Sequence, residues 1–316
     1  MGPSTAHRRL IASVIVALVA VALAGCGASP TATPMSVPAY SGVLAASEFA
    51  VGDNRVPFGL LNVDGEMLER ANVTVRFHLL QGDGSVPKDQ ARATYRAIPI
   101  DTPHTHGPGQ TELEVRFRGI YVVDSVHFDQ PGIWAASFEA TDHGGNAVPT
   151  RPMALEVQAR PRSFAVGDRV PPTDNLTIHD APFAELSTRQ VERDNMHEVS
   201  VAEALRQGRP FVVVFASPAF CVSAMCGPVT EMVADVAARY EGQAHFIHIE
   251  PYDLRAAREQ GKLLPAPVMD EWRLQTEPWV FVVRADGTVR ARFEGLVTAE
   301  EVDAAVAEAL ASQPGR

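Results

Sequence analysis

The stretch FVVVFASPAFCVSAMCGP, residues 211–228, constrains the chain more than any other. Phe211 to Phe215 is an unbroken apolar run suited to a buried central strand. Past Pro228, the residues Val229, Met232, Val233, Val236, Ala237 and Tyr240 recur at helical spacing, one apolar stripe for a core. Two cysteines, Cys221 and Cys226, therefore sit where a strand gives way to a helix. A helix start carries partial positive charge and unpaired N–H groups, which draw a thiol toward the thiolate that attacks disulfides or binds soft metals. On a regular helix, positions five apart differ by ~7.5 Å of rise and ~140° of rotation, a Cα separation near ~8.6 Å and beyond disulfide reach. Cys221 must then lie in the preceding loop, or the first turn must be distorted.

The chain has 3 cysteines, and the third has a different task. His7, Arg8 and Arg9 precede an apolar segment at residues 10–22 that is short for a bilayer span. Leu23-Ala24-Gly25-Cys26 follows and resembles a lipobox, which implies that residues 1–25 are a lipoprotein signal peptide and that Cys26 becomes the lipid-bearing terminus. The expected location is the cell membrane, lipid-anchored on its extracytoplasmic face. That setting is oxidising, so Cys221 and Cys226 are able to pair. Without residues 1–25 the charged residues number 25 basic and 38 acidic, a net of −13. An acidic surface of this kind excludes nucleic acid as an expected partner.

Residues 26–44 are rich in Ser, Thr, Pro and Ala and read as a flexible tether in which nothing should pack. Residues 45–158 alternate apolar and polar at period two, as in Val73-Thr74-Val75-Arg76-Phe77, in the run at 113–117 and in Trp134-Ala135-Ala136-Ser137-Phe138. This is the pattern of an all-β, immunoglobulin-like antiparallel sandwich. The segment GIYVVDSVHFDQPGIWAASF resembles the closing strands of small extracytoplasmic sandwich domains, some of them from copper-handling families. His104-Thr105-His106, between Pro103 and Gly107, reads as a solvated loop, and no metal is assigned there. Residues 159–185, with Pro161, Pro171, Pro172 and Pro182, read as a linker.

From residue 186 to 316 the pattern is mixed α/β. Ser200 with Glu203 forms a capping box for a helix stopped by Gly208, and Thr298 with Glu301 caps a final amphipathic helix carrying Val302, Val306 and Leu310. Residues 244–249 read as a strand and 254–260 as a helix ended by Gly261. Residues 280–283 and 289–293 read as a hairpin turned at Asp286-Gly287. The strand ending in Phe215, the cysteine loop, Cys226-Gly227-Pro228 and Thr276-Glu277-Pro278-Trp279 together resemble a thioredoxin-fold domain. The resemblance implies a cis bond before Pro278. It also implies that Phe220, Glu277, Pro278 and Trp279 contact substrate beside the catalytic pair Cys221 and Cys226. The fold class is then multidomain, a sandwich followed by a thioredoxin-like domain.

Departures from the family shape the functional reading. The cysteines have four residues between them, where thioredoxins have two. Loop length places Cys221 near the nucleophile position, while Cys-Gly-Pro places Cys226 there, and both registers stay open. Val214 occupies the place of the buried acid. His248 and Glu250 alternate along their strand and read as a sheet-edge or surface pair. The leading reading is a membrane-anchored thiol-disulfide oxidoreductase acting on extracytoplasmic protein thiols or disulfides, with no cofactor. A Cu(I)-binding module, with His245 or His248 as a further ligand, and an envelope adaptor with a structural disulfide are the alternatives.

Overall fold

Alternation at period two builds the first half of the protein. In β4 (Asn72–Gln81) Val73, Val75, Phe77 and Leu79 are buried while Asn72, Arg76 and Leu80 are exposed, the signature of a strand with one covered face. The same alternation runs through β7 (Gly132–Thr141) and β10 (Met153–Gln158). The computed structural model describes residues 40–97, 119–191, 195–221 and 225–311. The expected export signal, Cys26, most of the expected tether, His104, His106 and the run at 113–117 lie outside the described residues. Among the described residues no helix is long and apolar enough to cross a membrane.

The remaining strands of this region are β1 (Tyr40–Leu44), β2 (Phe49–Ala50), β3 (Gly52–Leu61), β5 (Gly84–Ala97), β6 (Gly119–Phe128), β8 (Ala147–Val148) and β9 (Thr150–Arg151). They form a 10-stranded sheet in the order β2-β10-β7-β4-β5-β6-β3-β1-β9, with β8 on β7. β5 is the strand at which the sheet folds over. Its first part, up to Ala93, pairs with β4, and Thr94 to Ala97 pair with β6. The two limbs enclose a core containing Phe58, Phe77, Tyr121, Phe128, Trp134 and Phe138. The hydroxyl of Tyr121 is satisfied inside this core, donating to the Leu68 carbonyl at 2.8 Å and accepting from the Ala71 amide at 2.9 Å, as a buried phenol requires. Residues 40–44, expected in the tether, are instead β1, paired antiparallel with β3 and parallel with β9. Leu44 and Tyr40 pack on the β core, so local Ser/Pro composition gave way to tertiary pairing.

The α/β region carries a 4-stranded sheet in the order β12-β11-β13-β14, made of β11 (Phe211–Phe215), β12 (His245–Ile249), β13 (Trp279–Val283) and β14 (Val289–Glu294). β11 and β12 are parallel, and the other pairings are antiparallel. After a short α1 (Phe183–Leu186), one face of the sheet packs on α3 (Cys226–Arg239) and α6 (Ala299–Ala311), the other on α2 (Val201–Gln207), Met269 and Trp272. Both faces being covered explains the unbroken apolar run of β11. The capping expectations hold: Ser200 accepts from the Glu203 amide at 3.2 Å, and Gly208, at φ 62°, stops α2. Likewise Glu301 accepts from the Thr298 amide at 2.9 Å. Gly261, at φ 63°, ends α4 (Leu254–Gln260). A short α5 (Pro267–Glu271) that the sequence reading did not separate precedes β13.

Residues 159–185 are not a free linker. Phe164 and Val170 are buried in the core of the α/β region, and the Val170 amide donates to the Gly287 carbonyl at 3.0 Å. Its prolines broke the apolar periodicity, yet a strap needs only a few anchoring side chains, each worth roughly 1.5–3 kcal/mol when buried.

The β and α/β regions fall within one compact unit, Pro38–Arg316, and share an interface. β6 is buried on both faces near its start: Tyr121 and Val123 join the β core, while Ile120 and Val122 join the core around α3 and α6. Polar contacts ring this apolar seam. Arg55 Nε donates to Glu301 Oε1 at 2.6 Å, Arg96 pairs with the same carboxylate at 2.6 Å, and Arg292 donates to Glu48 at 2.6 Å. Burial works against ionisation of Glu48 and Glu301, but Arg292 and the Arg55–Arg96 pair hold both carboxyls below their usual range.

Candidate functional site: the cysteine loop at the start of α3

The helix that carries Cys226 begins without a side-chain cap. Met225 stands at the cap position with α-type backbone angles and offers no acceptor. Pro228, in the first turn, removes one N–H that would lack a partner anyway. The Cys226 amide finds Cys221 Sγ instead, at 3.3 Å. Cys221 thus lies in the loop before the helix, and its sulfur caps the first turn. Of the two placements that the spacing allowed, the preceding loop or a distorted first turn, the structure has the loop. A helix-start N–H pointing at sulfur favours negative charge there.

The two thiols differ in setting. Cys221 is partly exposed and Cys226 is buried, neither forming a disulfide. Burial pushes the Cys226 thiol up, reinforced by the neighbouring Cys221 and by the charge of Glu277, with a contact from Ser217 pulling the other way. Accessibility therefore separates the two registers left open by the sequence: Cys221 can be reached by a bulky partner, and Cys226 sits beneath it.

Opposite the pair, the Glu277–Pro278 peptide bond is cis, as the resemblance implied. Glu277, expected among the substrate contacts, brings its side chain to the sulfurs. The ligand atoms of Cys221, Cys226 and Glu277 all lie within 4.8 Å of one another. Tyr252 completes this side. Burial raises its hydroxyl, as do the charge and hydrogen bond of Glu277 and the nearby cysteines. Sequence reasoning missed Tyr252; the only signal was its place just after β12. Phe220 is partly exposed at the turn before Cys221. Trp279, expected among the substrate contacts, is instead a core residue at 3% exposure, stacked on Phe281 with centroids 5.5 Å apart. As the first residue of β13, it directs its ring into the layer packed on Trp272. Cys26 lies outside the described residues.

Behind the loop is a buried polar layer that the sequence reading took for a surface pair. β12 is the edge of its sheet, yet the His248 amide donates to the Met196 carbonyl at 2.9 Å, so a segment from earlier in the chain covers that edge. His248 is 1% and Glu250 6% exposed. His248 Nε2 lies 2.8 Å from the Ala216 carbonyl, which can only accept. The proton is therefore on Nε2, and Nδ1 is the acceptor facing His197 Nε2 at 3.2 Å and Ser187 Oγ at 3.3 Å. Neither His248 nor His245, whose ring bonds to Gln207 at 2.8 Å, joins the cysteines in the cluster of donors described above.

Glu250 Oε1 accepts from the amide and hydroxyl of Thr188, both at 2.7 Å, and the same hydroxyl accepts from the Ala219 amide at 3.1 Å. Thr188 thereby ties the acid to the turn just before Cys221. Glu250 Oε2 and Ser217 Oγ are both buried without a hydrogen-bond partner, although Ser217 is close enough to favour the charged form. Burial dominates and pushes Glu250 up to about 7. A carboxyl with one satisfied oxygen and one dry one is best accommodated protonated. Arg189, 2% exposed at its side chain, grips Glu231 of α3 through two bonds of 3.0 Å and clamps this layer to the helix.

The cis-proline loop is braced from the β region. Glu294 accepts from the Ser47 amide at 2.8 Å, the Ser47 hydroxyl at 2.6 Å, the Glu48 amide at 3.0 Å and the Thr276 hydroxyl at 2.7 Å. Thr276 in turn accepts from the Trp279 indole at 3.1 Å. One carboxylate thus joins the β region to the residue next to Glu277.

Residues 198–310 match a family model described as a thioredoxin-like domain, and this segment is such a domain. No curated protein matches the chain. Among solved structures, a thiol:disulfide interchange protein of the thioredoxin family from Chlorobium tepidum TLS aligns at 19% identity. The alignment covers 46% of this chain and 98% of that one, with a TM-score of 0.32.

Proposed function

We propose that this protein is a thiol-disulfide exchange protein of the extracytoplasmic membrane face, tethered through lipid on Cys26 and acting on protein thiols or disulfides. The observation that carries this reading is the meeting of Cys221 and Cys226 with the cis Glu277–Pro278 bond at the start of α3 in a thioredoxin-like domain. The lipobox-like Leu23-Ala24-Gly25-Cys26 supports the anchorage and location.

In the reducing direction the accessible Cys221 attacks first. Its thiolate displaces one sulfur of a partner disulfide, forming a mixed disulfide and releasing one partner thiolate, which takes a proton. Cys226 then loses its proton and attacks Cys221 Sγ, freeing the second partner thiol. Two electrons have passed to the partner, and Cys221–Cys226 is oxidised. The reverse sequence oxidises a partner dithiol. The raised Cys226 thiol suits a resolving group that stays protonated until the mixed disulfide forms. Glu277 and Pro278 present backbone beside the sulfurs for an extended partner segment, with Phe220 at the rim.

Titration of the full chain in detergent across glutathione and dithiothreitol buffers, with free thiols counted by mass-tagged alkylation, tests the proposal. A midpoint between roughly −120 and −270 mV supports exchange; a bond that resists reduction past roughly −300 mV marks a structural staple and refutes it.

A further inference from the structure

The side chains gathered at the cysteine loop make a second kind of site. Cys221 Sγ, Cys226 Sγ and a Glu277 carboxylate oxygen lie within 4.8 Å of one another, from the loop before α3, the first residue of α3 and the turn before β13. Three separate segments therefore converge on one point. We infer that the reduced protein binds one thiophilic divalent cation of the zinc class through Cys221, Cys226 and Glu277, with water as a fourth ligand.

The donor set selects the ion. Two thiolates favour zinc or Cu(I), and the hard carboxylate oxygen shifts the choice to zinc, which takes sulfur and oxygen together in a tetrahedron. With Zn–S near 2.3 Å and Zn–O near 2.1 Å, tetrahedral donors stand roughly 3.5–3.8 Å apart. Closing from at most 4.8 Å is a shift of about 1 Å, within side-chain rotation. Three protein ligands and an open position are the arrangement of zinc sites that exchange their fourth ligand. The charges nearly cancel: two thiolates and a carboxylate against a divalent cation leave one net negative charge, and binding releases the two thiol protons. Tyr252, hydrogen-bonded to Glu277, holds the carboxylate as a metal ligand's outer partner does.

Zinc and the Cys221–Cys226 disulfide are mutually exclusive states of the same sulfurs. The inference needs only reduced thiols, so an unfavourable redox midpoint leaves it standing.

The experiment titrates the full-length reduced protein, in detergent and free of reductant, with Co²⁺ and then displaces it with Zn²⁺. The expected result is a thiolate-to-cobalt charge-transfer spectrum saturating at one equivalent and erased by one equivalent of zinc. The spectrum should be absent from the oxidised wild type, a comparison that needs no variant to fold, and from Cys221→Ser and Cys226→Ser. Glu277→Gln should weaken zinc at least about 10-fold, and Tyr252→Phe by about 10- to 100-fold, each with unchanged far-ultraviolet circular dichroism. No charge-transfer band in the reduced wild type overturns the inference, as does zinc affinity in Glu277→Gln equal to that of wild type.

Discussion

Glu250 makes stability depend on pH in a direction opposite to that of most carboxylates. Its carboxyl titrates near 7 in the folded protein because it is buried, against an ordinary value of 4.5. Below pH 4.5 both folded and unfolded states hold the proton, and the group costs nothing. As pH rises toward 7 the unfolded chain ionises first, so folded stability falls, and it levels off above 7. At about 1.4 kcal/mol per pH unit, the loss between pH 5 and pH 8 is about 2–3 kcal/mol, a large part of a domain's usual margin of roughly 5–15 kcal/mol. Glu250→Gln removes the titration and keeps the shape. Its carbonyl can accept both Thr188 bonds, and its amide can reach the unpartnered Ser217 hydroxyl. Urea unfolding of both proteins at pH 5 and pH 8, followed by the fluorescence of buried Trp272 and Trp279, measures the difference. Taking wild type minus variant cancels the other titrating groups. The variant should gain about 2–3 kcal/mol on wild type between the two pH values. A difference flat within about 0.5 kcal/mol would refute the claim that burial raises the Glu250 carboxyl to about 7.

Other consequences follow from the same contacts. Cys226→Ser should accumulate a mixed disulfide with partner proteins on non-reducing gels while Cys221→Ser accumulates none; the reverse pattern would exchange their roles. Glu294→Ala leaves the Ser47 and Glu48 amides without their acceptor and should cost about 2–4 kcal/mol in urea unfolding; a loss under about 0.5 kcal/mol would rule out the brace. Gly295 stands at φ 71°, and a Cβ there would meet the Ala45 carbonyl at 2.2 Å. Gly295→Ala should therefore destabilise by at least about 1–2 kcal/mol from backbone strain alone, with the clash in addition; an unchanged thermal midpoint would show that the interface yields there.

Much of the fold was legible because local physics dictated it. Ser200 with Glu203 and Gly208 bounded α2, and Asp286-Gly287 turned the hairpin, since caps and turns are satisfied by near neighbours in the chain. The spacing of Cys221 and Cys226 excluded a shared regular helix for any pair that is to reach disulfide distance. Other features depended on partners distant in sequence. Tyr40–Leu44 became a strand only because β3 and β9 offered it edges. Phe164 and Val170 anchored a Pro-rich strap only because the α/β core left room for them. Trp279 belongs to a motif from which substrate contact was expected, yet strand direction turned it inward.

The candidate site divides in the same way. Sequence by itself determined that two thiols meet a helix start near a proline loop, because strand, helix and turn signals are local and their order defines the fold. Tertiary structure alone decided which thiol is exposed, placed the carboxylate of Glu277 and the hydroxyl of Tyr252 beside the sulfurs, and buried His248 and Glu250 beneath a segment some fifty to sixty residues earlier in the chain. Burial and charge are sums over neighbours in space. A period-two pattern at an edge strand is the same whether its outer side meets water or residues such as Ser187, Thr188, Met196 and His197, and only the folded chain supplies that cover.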